Sequence, residues 1–369
     1  GQQQAHHVGV DLAAPVQRYV PAFPEKQWPI TARQLAGHLS GLPHYTPADR
    51  TEPRFYASVG DALTVFSHLV QMSEPGATYR YSTHGYTLLS AAIEGAAGEP
   101  FLDYVSNAVL QPLAMQATAP DLRAAQHPEL TRFYTLRDTG IVALEQTEDP
   151  SYKWAGGGLT STPSDLVRLG LAYVNGFLRA DVVEELWRSQ RLKSGSETGV
   201  GLGWRNGRDA AGRRAIEHAG SMQGTRSVVS IFPEQRIAVA VMANREWSSH
   251  IESTAHMLAL PYLDPRPRGR GLTGSAIVSV ELTSPNFPAR RVEGQLTLRD
   301  GRGTLVADGV TYQLLHVAAG DVYALVRAAG IYHTTISVAN GQVTGRALSY
   351  SSPQLGAATA FLSFSGSFR

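Results

Sequence analysis

The sequence predicts an α+β domain followed by a small all-β barrel or sandwich domain, and three features carry that prediction. From about residue 31 to residue 190, apolar residues recur at three- and four-residue spacing between capping residues, the mark of packed helices. After Gly195 the texture changes to short runs rich in Val, Ile and Thr, separated by Gly, Asn and Pro-Glu-Gln turns, which is strand chemistry. Between the two β-rich stretches lies DPRPRGRGL, residues 264–272, too rich in Pro, Gly and Arg to pack, which reads as a boundary. The expected organisation is therefore a helical region plus antiparallel sheet over 1–264, a linker over 265–272 and a β-domain over 273–369.

The helical region opens with TARQLAGHLSGL, where Thr31 can cap, Gln34 completes a capping box and Gly41 stands where a left-handed C-cap would fall. SVGDALTVFSHLVQM, THGYTLLSAAIEGAAG and PFLDYVSNAVLQPL continue the helical spacing. TPSDLVRLGLAYVNG and RADVVEELWRSQ repeat it, with Thr162 or Ser164 as N-cap. TGVGLGWRNG, TRSVVSIFP and RIAVAVMANR then read as an antiparallel meander, closed by the helix SSHIESTAHMLALPYL. Beyond the linker, SAIVSVELT, RVEGQLTLRD, GTLVADG, TYQLLHV, VYALVRAAG, HTTISVANG and ATAFLSFSG are short strands at regular spacing, as in a barrel or sandwich.

Composition removes several classes of function. With 43% hydrophobic and 17% charged residues the chain is far from a disordered composition. A net charge of +1 argues against a nucleic-acid surface, and the aromatic residues have no basic stripe beside them. Cysteine is absent, which removes disulfides, thiol nucleophiles and cysteine-ligated zinc, and suits a periplasmic or secreted protein. No apolar run reaches the roughly 20 residues of a membrane helix. The opening GQQQAHHVGVDL has no charged n-region or apolar h-region, so an export signal is expected to be gone already or never to have existed, and His6 and His7 read as an end rather than a ligand pair. His250 and His256 in HIESTAH are six apart, which is not zinc spacing, and read as surface helix. No metal and no cofactor is expected.

Two short motifs bear chemistry. In GATYRYSTHGYTLLS, Tyr81 stands just ahead of a helix whose N-cap is Ser82 or Thr83; the positive field there favours a phenolate and suits proton transfer. Alone, Tyr81 reads equally as a packed aromatic. In EHAGSMQGTRS, an edge strand carrying His218, Ala219, Gly220 and Ser221 would offer an imidazole for binding or proton transfer, with a backbone N–H near Ser221 for an oxyanion. Alone, that stretch reads as a glycine turn beside a surface histidine.

Together, their order and surroundings resemble the serine β-lactamase and penicillin-binding-protein superfamily, in its class C, carboxypeptidase and esterase branch. ITARQLAGHLSGLPHY is similar to that family's lLtHtSGl segment, and YSTHGYTLLSAAIEGAAGEPFLDYVSNAVLQPLAM to its Tyr-x-Asn helix and following PLGM. YKWAGGGLTSTPSDLVRLG matches its glycine-rich stretch, and the SYKWAGGG and YST wording is most similar to the mitochondrial serine β-lactamase-like members. The likeness runs from about 11 to 264 and leaves the β-domain outside it.

The resemblance implies acyl transfer on an ester, amide, peptide or lactam, through three motifs meeting in one cleft: Ser-x-x-Lys for nucleophile and base, Tyr-x-Asn for a proton shuttle, and Lys/His-Thr/Ser-Gly along the substrate strand. It gives Tyr81 the second role and His218 the third, with Ser221 N–H in the oxyanion hole and Gly220 beside it. Thr83 stands where Asn is usual and Ala219 where a hydroxyl is usual, which weakens the grip on a lactam or peptide relative to a general ester or amide. Ser-x-x-Lys itself is missing. Three residues before Lys26, Lys153 and Lys193 stand Phe23, Pro150 and Gln190. No Gly-x-Ser-x-Gly elbow replaces it, and Ser40, Ser82 and Ser161 read more simply as loop or cap residues. VDLAAPVQRYVPAFP is similar to the segment that comes after the nucleophile helix in the family, so the motif is expected upstream of residue 1, with an N-terminal fragment or a second copy of the chain as a partner filling its place. The alternative is a catalytically silent binding or assembly module on the same fold.

Overall fold

Thr31 does what its sequence asks: its hydroxyl accepts from Gln34 N at 3.3 Å while Gln34 Oε1 accepts from Thr31 N at 2.9 Å, so two orphan amides of the first helix are satisfied reciprocally. The computed structural model describes residues 9–51, 54–122, 130–144, 148–248, 250–284, 287–350 and 359–369. Its helices in chain order are α1 (Ala32–Ala36), α2 (Pro47–Thr51), α3 (Val59–Ala62), α4 (Thr83–Ala97), α5 (Phe101–Val105), α6 (Trp154–Gly157), α7 (Pro163–Val174), α8 (Ala180–Trp187) and α9 (Ile251–Leu263). The first strands are β1 (Ala119–Pro120), β2 (Phe133–Arg137), β3 (Gly140–Leu144) and β4 (Leu159–Thr160), followed by β5 (Arg205–Arg208), β6 (Arg214–Met222), β7 (Thr225–Phe232) and β8 (Ile237–Ala243).

The chain falls into two compact units: residues 1–133 with 144–206, and residues 134–143 with 207–369. The helical unit packs around α4, the longest helix. Its core joins Val16, Phe23 and Ile30 to Leu35, Phe66 and Leu88, with Trp154 of α6. Helix α4 is capped by Ser82 Oγ, which accepts from Gly85 N at 2.9 Å, and it ends on Gly98 at φ 70°. Helix α7 is capped by Thr162 and carries Pro163 in its first turn.

Two predicted helices are shorter than their periodicity suggests. Helix α1 stops at Gly37 rather than running towards Gly41, because His38 takes a left-handed turn at φ 56° that redirects its buried ring. Gly41 is left-handed too, at φ 74°, and a Cβ there would lie 2.1 Å from Ser73 O. In SVGDALTVFSHLVQM only α3 and a 3₁₀ turn over Leu63–Val65 form, with Thr64 Oγ1 turned back onto Asp61 O at 2.6 Å.

In the second unit the sheet runs β5-β6-β7-β8, antiparallel, with α9 packed on it through Ala215, Phe232, Ala259 and Leu263 and through Val228, Ile251 and Ala255. A closed eight-stranded antiparallel barrel comes next: β9 (Gly274–Ser284), β10 (Phe287–Arg299), β11 (Arg302–Ala307), β12 (Val310–His316), β13 (Val322–Arg327), β14 (Gly330–Ala339), β15 (Gln342–Leu348) and β16 (Ala360–Ser367), with β16 pairing back onto β9. Strand β15 was not among the predicted runs. Its inward residues are Val343, Gly345 and Ala347, too small to write an apolar stripe. The compact units thus group the sheet and α9 with the barrel, and the boundary segment itself makes contacts: Arg268 Nη1 donates to His316 O and Leu272 N to Tyr323 Oη.

Gly345 shows why those residues are small. It lies opposite Phe364 of β16, and a Cβ on it would meet the ring at 2.0 Å. We expect Gly345→Ala to cost about 1–3 kcal/mol through overpacking, read as a lower urea midpoint with an unchanged slope.

Candidate active site

Tyr81 lies immediately before α4, in a continuous file of rings within the helical unit. His38 packs on Tyr86 with centroids 4.9 Å apart and on Tyr81 at 4.3 Å. Tyr81 meets His44 edge-on at 5.5 Å, His44 meets Tyr45 at 4.1 Å, and Tyr45 meets Tyr152 edge-on at 5.8 Å. The two imidazoles also cap the helix. His38 Nδ1 accepts from Ser82 N and His44 Nδ1 from Thr83 N, each at 3.2 Å, so both rings are held as the Nε2–H tautomer by a backbone donor. Burial, helped by the charge of Lys153, holds His44 below its ordinary pKa and so keeps it the acceptor that Thr83 N requires.

The phenol of Tyr81 departs from the expected phenolate. Burial raises its pKa, and this outweighs the Arg205 charge and the hydrogen bond with Thr83, both of which pull the other way. Tyr81 is therefore a proton donor at neutral pH whose conjugate base is supported by a guanidinium, a hydroxyl and a helix N-terminus. Thr83 takes the Asn position of the motif and meets the glycine-rich stretch: a Cβ on Gly156 would lie 2.4 Å from Thr83 Cγ2, so AGGG is glycine where it touches α4.

Sequence reasoning used Lys153 only to show that no serine precedes it correctly, yet it stands at the end of the ring file. It is 1% exposed, ion-paired with Glu148, and its ammonium sits 4.8 Å from the Tyr45 ring centroid and 5.1 Å from that of Tyr152. Glu148 also takes Arg50 Nε at 3.1 Å and Tyr152 Oη at 3.0 Å; burial works against its charge, but these donors together hold its carboxyl below the usual range. His38, His44 and Tyr45 were missed as well. A histidine in a loop carries no periodic signal, and only the fold brings GHLSGLPHY against the start of α4.

The serines weighed as stand-ins all have structural work. Ser40 Oγ accepts from Leu42 N, Ser82 Oγ donates to Pro43 O at 2.7 Å and caps α4, and Ser161 Oγ pairs with Thr118 Oγ1 at 2.8 Å. The lysines are similarly engaged, Lys26 on the carbonyl of Leu69 at 2.9 Å and Lys193 on Glu74.

His218, Ala219, Gly220 and Ser221 lie together on β6, in the second unit, whereas Tyr81 and Thr83 belong to the first. The edge-strand expectation needs correcting. β6 is flanked by β5 and β7, so β5 is the edge; with four residues against nine, β5 covers only part of β6. Gly220 faces Ser227 across the β6–β7 ladder, where a Cβ would lie 2.4 Å from Ser227 Oγ, and Ser221 is exposed. His256, expected on a helix surface, is buried and paired with Glu217 at 3.0 Å, because α9 is covered by the sheet on one side and by the barrel through Met257 and Leu260 on another. Among the described residues no group of three or more His, Asp or Glu could hold a metal, and no helix is long and apolar enough to cross a membrane.

A helical region with an antiparallel sheet, a tyrosine at the mouth of a capped helix and a His-x-Gly strand define a hydrolase of the penicillin-recognising class. The Beta-lactamase family model matches residues 2–260, and the chain belongs to that family. It is 24% identical over 368 residues to the mouse (Mus musculus) mitochondrial serine β-lactamase-like protein LACTB, covering 69% of this chain and 66% of that protein, so it spans just under two thirds of that relative's length. Among solved structures it is similar to a D-stereospecific amidohydrolase from Streptomyces sp., with TM-score 0.56, 23% identity and coverage of 64% of this chain and 76% of that one. It is also similar to the octameric penicillin-binding protein homologue from Pyrococcus abyssi, with TM-score 0.53, 17% identity and coverage of 96% and 82%. At these identities the structures establish the fold.

The same unit holds an orphan. His84 is 1% exposed, stacked on Phe66 with centroids 4.5 Å apart, and neither ring nitrogen has a hydrogen-bond partner. Burial lowers its pKa from 6.5 to about 4. Between those values the unfolded chain binds a proton that the folded chain refuses, so stability is full above pH 6.5 and drains as pH falls towards 4. The loss should be roughly 3 kcal/mol. Urea melts from pH 7 to pH 4 should show it, and His84→Leu should flatten that part of the profile.

Proposed function

We propose that this chain carries the proton-transfer and substrate-strand parts of a serine acyl-transfer site acting on an ester, amide, peptide or lactam. The observation that supports it most is the setting of Tyr81: a buried phenol at a helix N-terminus, hydrogen-bonded to Thr83, under the charge of Arg205 and between two imidazoles. In this reading Tyr81 passes a proton between nucleophile and leaving group, His218 lines the substrate, and the N–H of Ser221 stabilises the oxyanion with Gly220 and Ala219 leaving room for it. Thr83 and Ala219 favour a general ester or amide, in keeping with the amidohydrolase named among the similar structures. The nucleophile is the part these residues lack, and a serine from outside them would complete the site. A catalytically silent binding or assembly module is the second reading, and the missing Ser-x-x-Lys favours it.

Both readings expect the 369-residue chain to be inactive or weak, with at most the roughly 10³–10⁴-fold acceleration that an oxyanion hole and binding leave behind. Nitrocefin and p-nitrophenyl ester assays, with fluorophosphonate labelling read by mass spectrometry, test this. We expect no adduct and no ordinary turnover, while binding of an N-acyl amino-acid amide weakens in Tyr81→Phe and His218→Ala. An adduct on Ser40, Ser82 or Ser161 would replace the reading with an internal nucleophile. Absence of all binding would favour the silent module.

A further inference from the structure

Glu217, one residue before His218 on β6, is fully buried and accepts three hydrogen bonds: from Ser230 Oγ at 2.8 Å, from His256 Nε2 at 3.0 Å and from the hydroxyl of Tyr350 just beyond β15. Beside this cluster is a cavity of about 50 Å³ between the 209–213 turn, α9 and the barrel strands β14 and β15, lined in part by Arg208, Asp209, Arg213, His256, His333 and Tyr350. At roughly 10–15 Å³ for each water it has room for a molecule of a few heavy atoms.

Acceptors in the lining are used up, and donors are left over. The Asp209 carboxylate takes Ala211 N and Arg213 N at 2.9 Å and Arg213 Nε at 2.7 Å. Arg213 Nη2 is 2.7 Å from the same carboxylate but makes no aligned hydrogen bond, and it is sealed from the surface. His333 Nδ1 is also buried without a hydrogen-bond partner. The charge is uneven as well: Arg208 and Arg213 face Asp209 alone, since Glu217 is matched by His256. Buried donors of this kind cost about 1–3 kcal/mol each unless something accepts from them.

We propose that this cavity binds a small planar oxyanion of the carboxylate class, gripped by Arg213 and His333. A guanidinium with an unused N–H matches a carboxylate in plane and hydrogen-bond direction, and a neutral imidazole can supply a second donor from Nδ1. The bound group is either a free small acid or the carboxylate end of a longer molecule reaching out through the mouth. The site is independent of the acyl-transfer reading.

The test is a titration of the full chain, labelled with ¹⁵N-histidine, at constant ionic strength. The probes are acetate, N-acetylglycine, and N-acetylglycinamide as the uncharged control, with chloride as the salt control. We expect saturable shifts of the His333 and His256 signals with acetate and none with chloride or the amide. N-acetylglycine shifting the same signals would assign the site to the carboxylate end of longer ligands, and silence from it would restrict the site to free small acids. Affinity should fall at least tenfold in Arg213→Gln. His333→Phe, which leaves the Asp209–Arg213 pair intact, should weaken acetate in the same direction and guards against a folding failure of the first variant. Shifts that only track ionic strength, or acetate binding unchanged in both variants, would show that the cavity holds water alone and overturn the proposal.

Discussion

The first amides of α4 donate to imidazole nitrogens, and much of the helical unit depends on that. A helix N-terminus needs acceptors for its orphan N–H groups, and here His38 and His44 supply two of them while Ser82 supplies a third. To reach its place His38 must turn left-handed, which ends α1 after five residues. To accept at all, both rings must be unprotonated at Nδ1, so the cap fixes their tautomer and leaves Nε2–H as the only donor each can offer. Tyr81 is held between them in consequence, and its position belongs to the cap as much as to its own packing.

A second constraint acts from α6. Gly156 closes on Thr83 so tightly that a methyl group there would overlap its Cγ2. The glycine run and the helix start are thus one packed contact. The next turn of chain, through Lys153, Tyr152 and Glu148, is carried with them to the far end of the ring file.

The legible parts were those written locally. The Thr31–Gln34 box, the Ser82 cap of α4, its Gly98 terminator and the Thr162 cap of α7 each use a residue within a few positions of the helix they bound. The family motifs at Tyr81 and His218 were legible for the same reason, being short and contiguous. What was hidden depends on partners distant in sequence. Strand β15 escaped because Phe364 fills the space that larger inward residues would have advertised. His256 was read as exposed because α9 shows no clean apolar stripe, and it shows none because it is covered on more than one side. The charge pair of Lys153 and Glu148 falls within one short loop, but nothing in that loop announces burial.

Closure of the barrel by β16 on β9 carries an implication for how the protein is made. Until the last of the eight strands is available, β9 and β15 each present a row of unpaired backbone groups and an apolar interior without its lid, the condition in which strands recruit strands from other molecules. Synthesis therefore passes through an interval in which most of the barrel exists but cannot seal. The contacts that seal it are among the most distant in the barrel sequence, and such pairings form slowly. A chain halted just before Ala360 would prolong that interval indefinitely, turning a domain that has no edges into one with two.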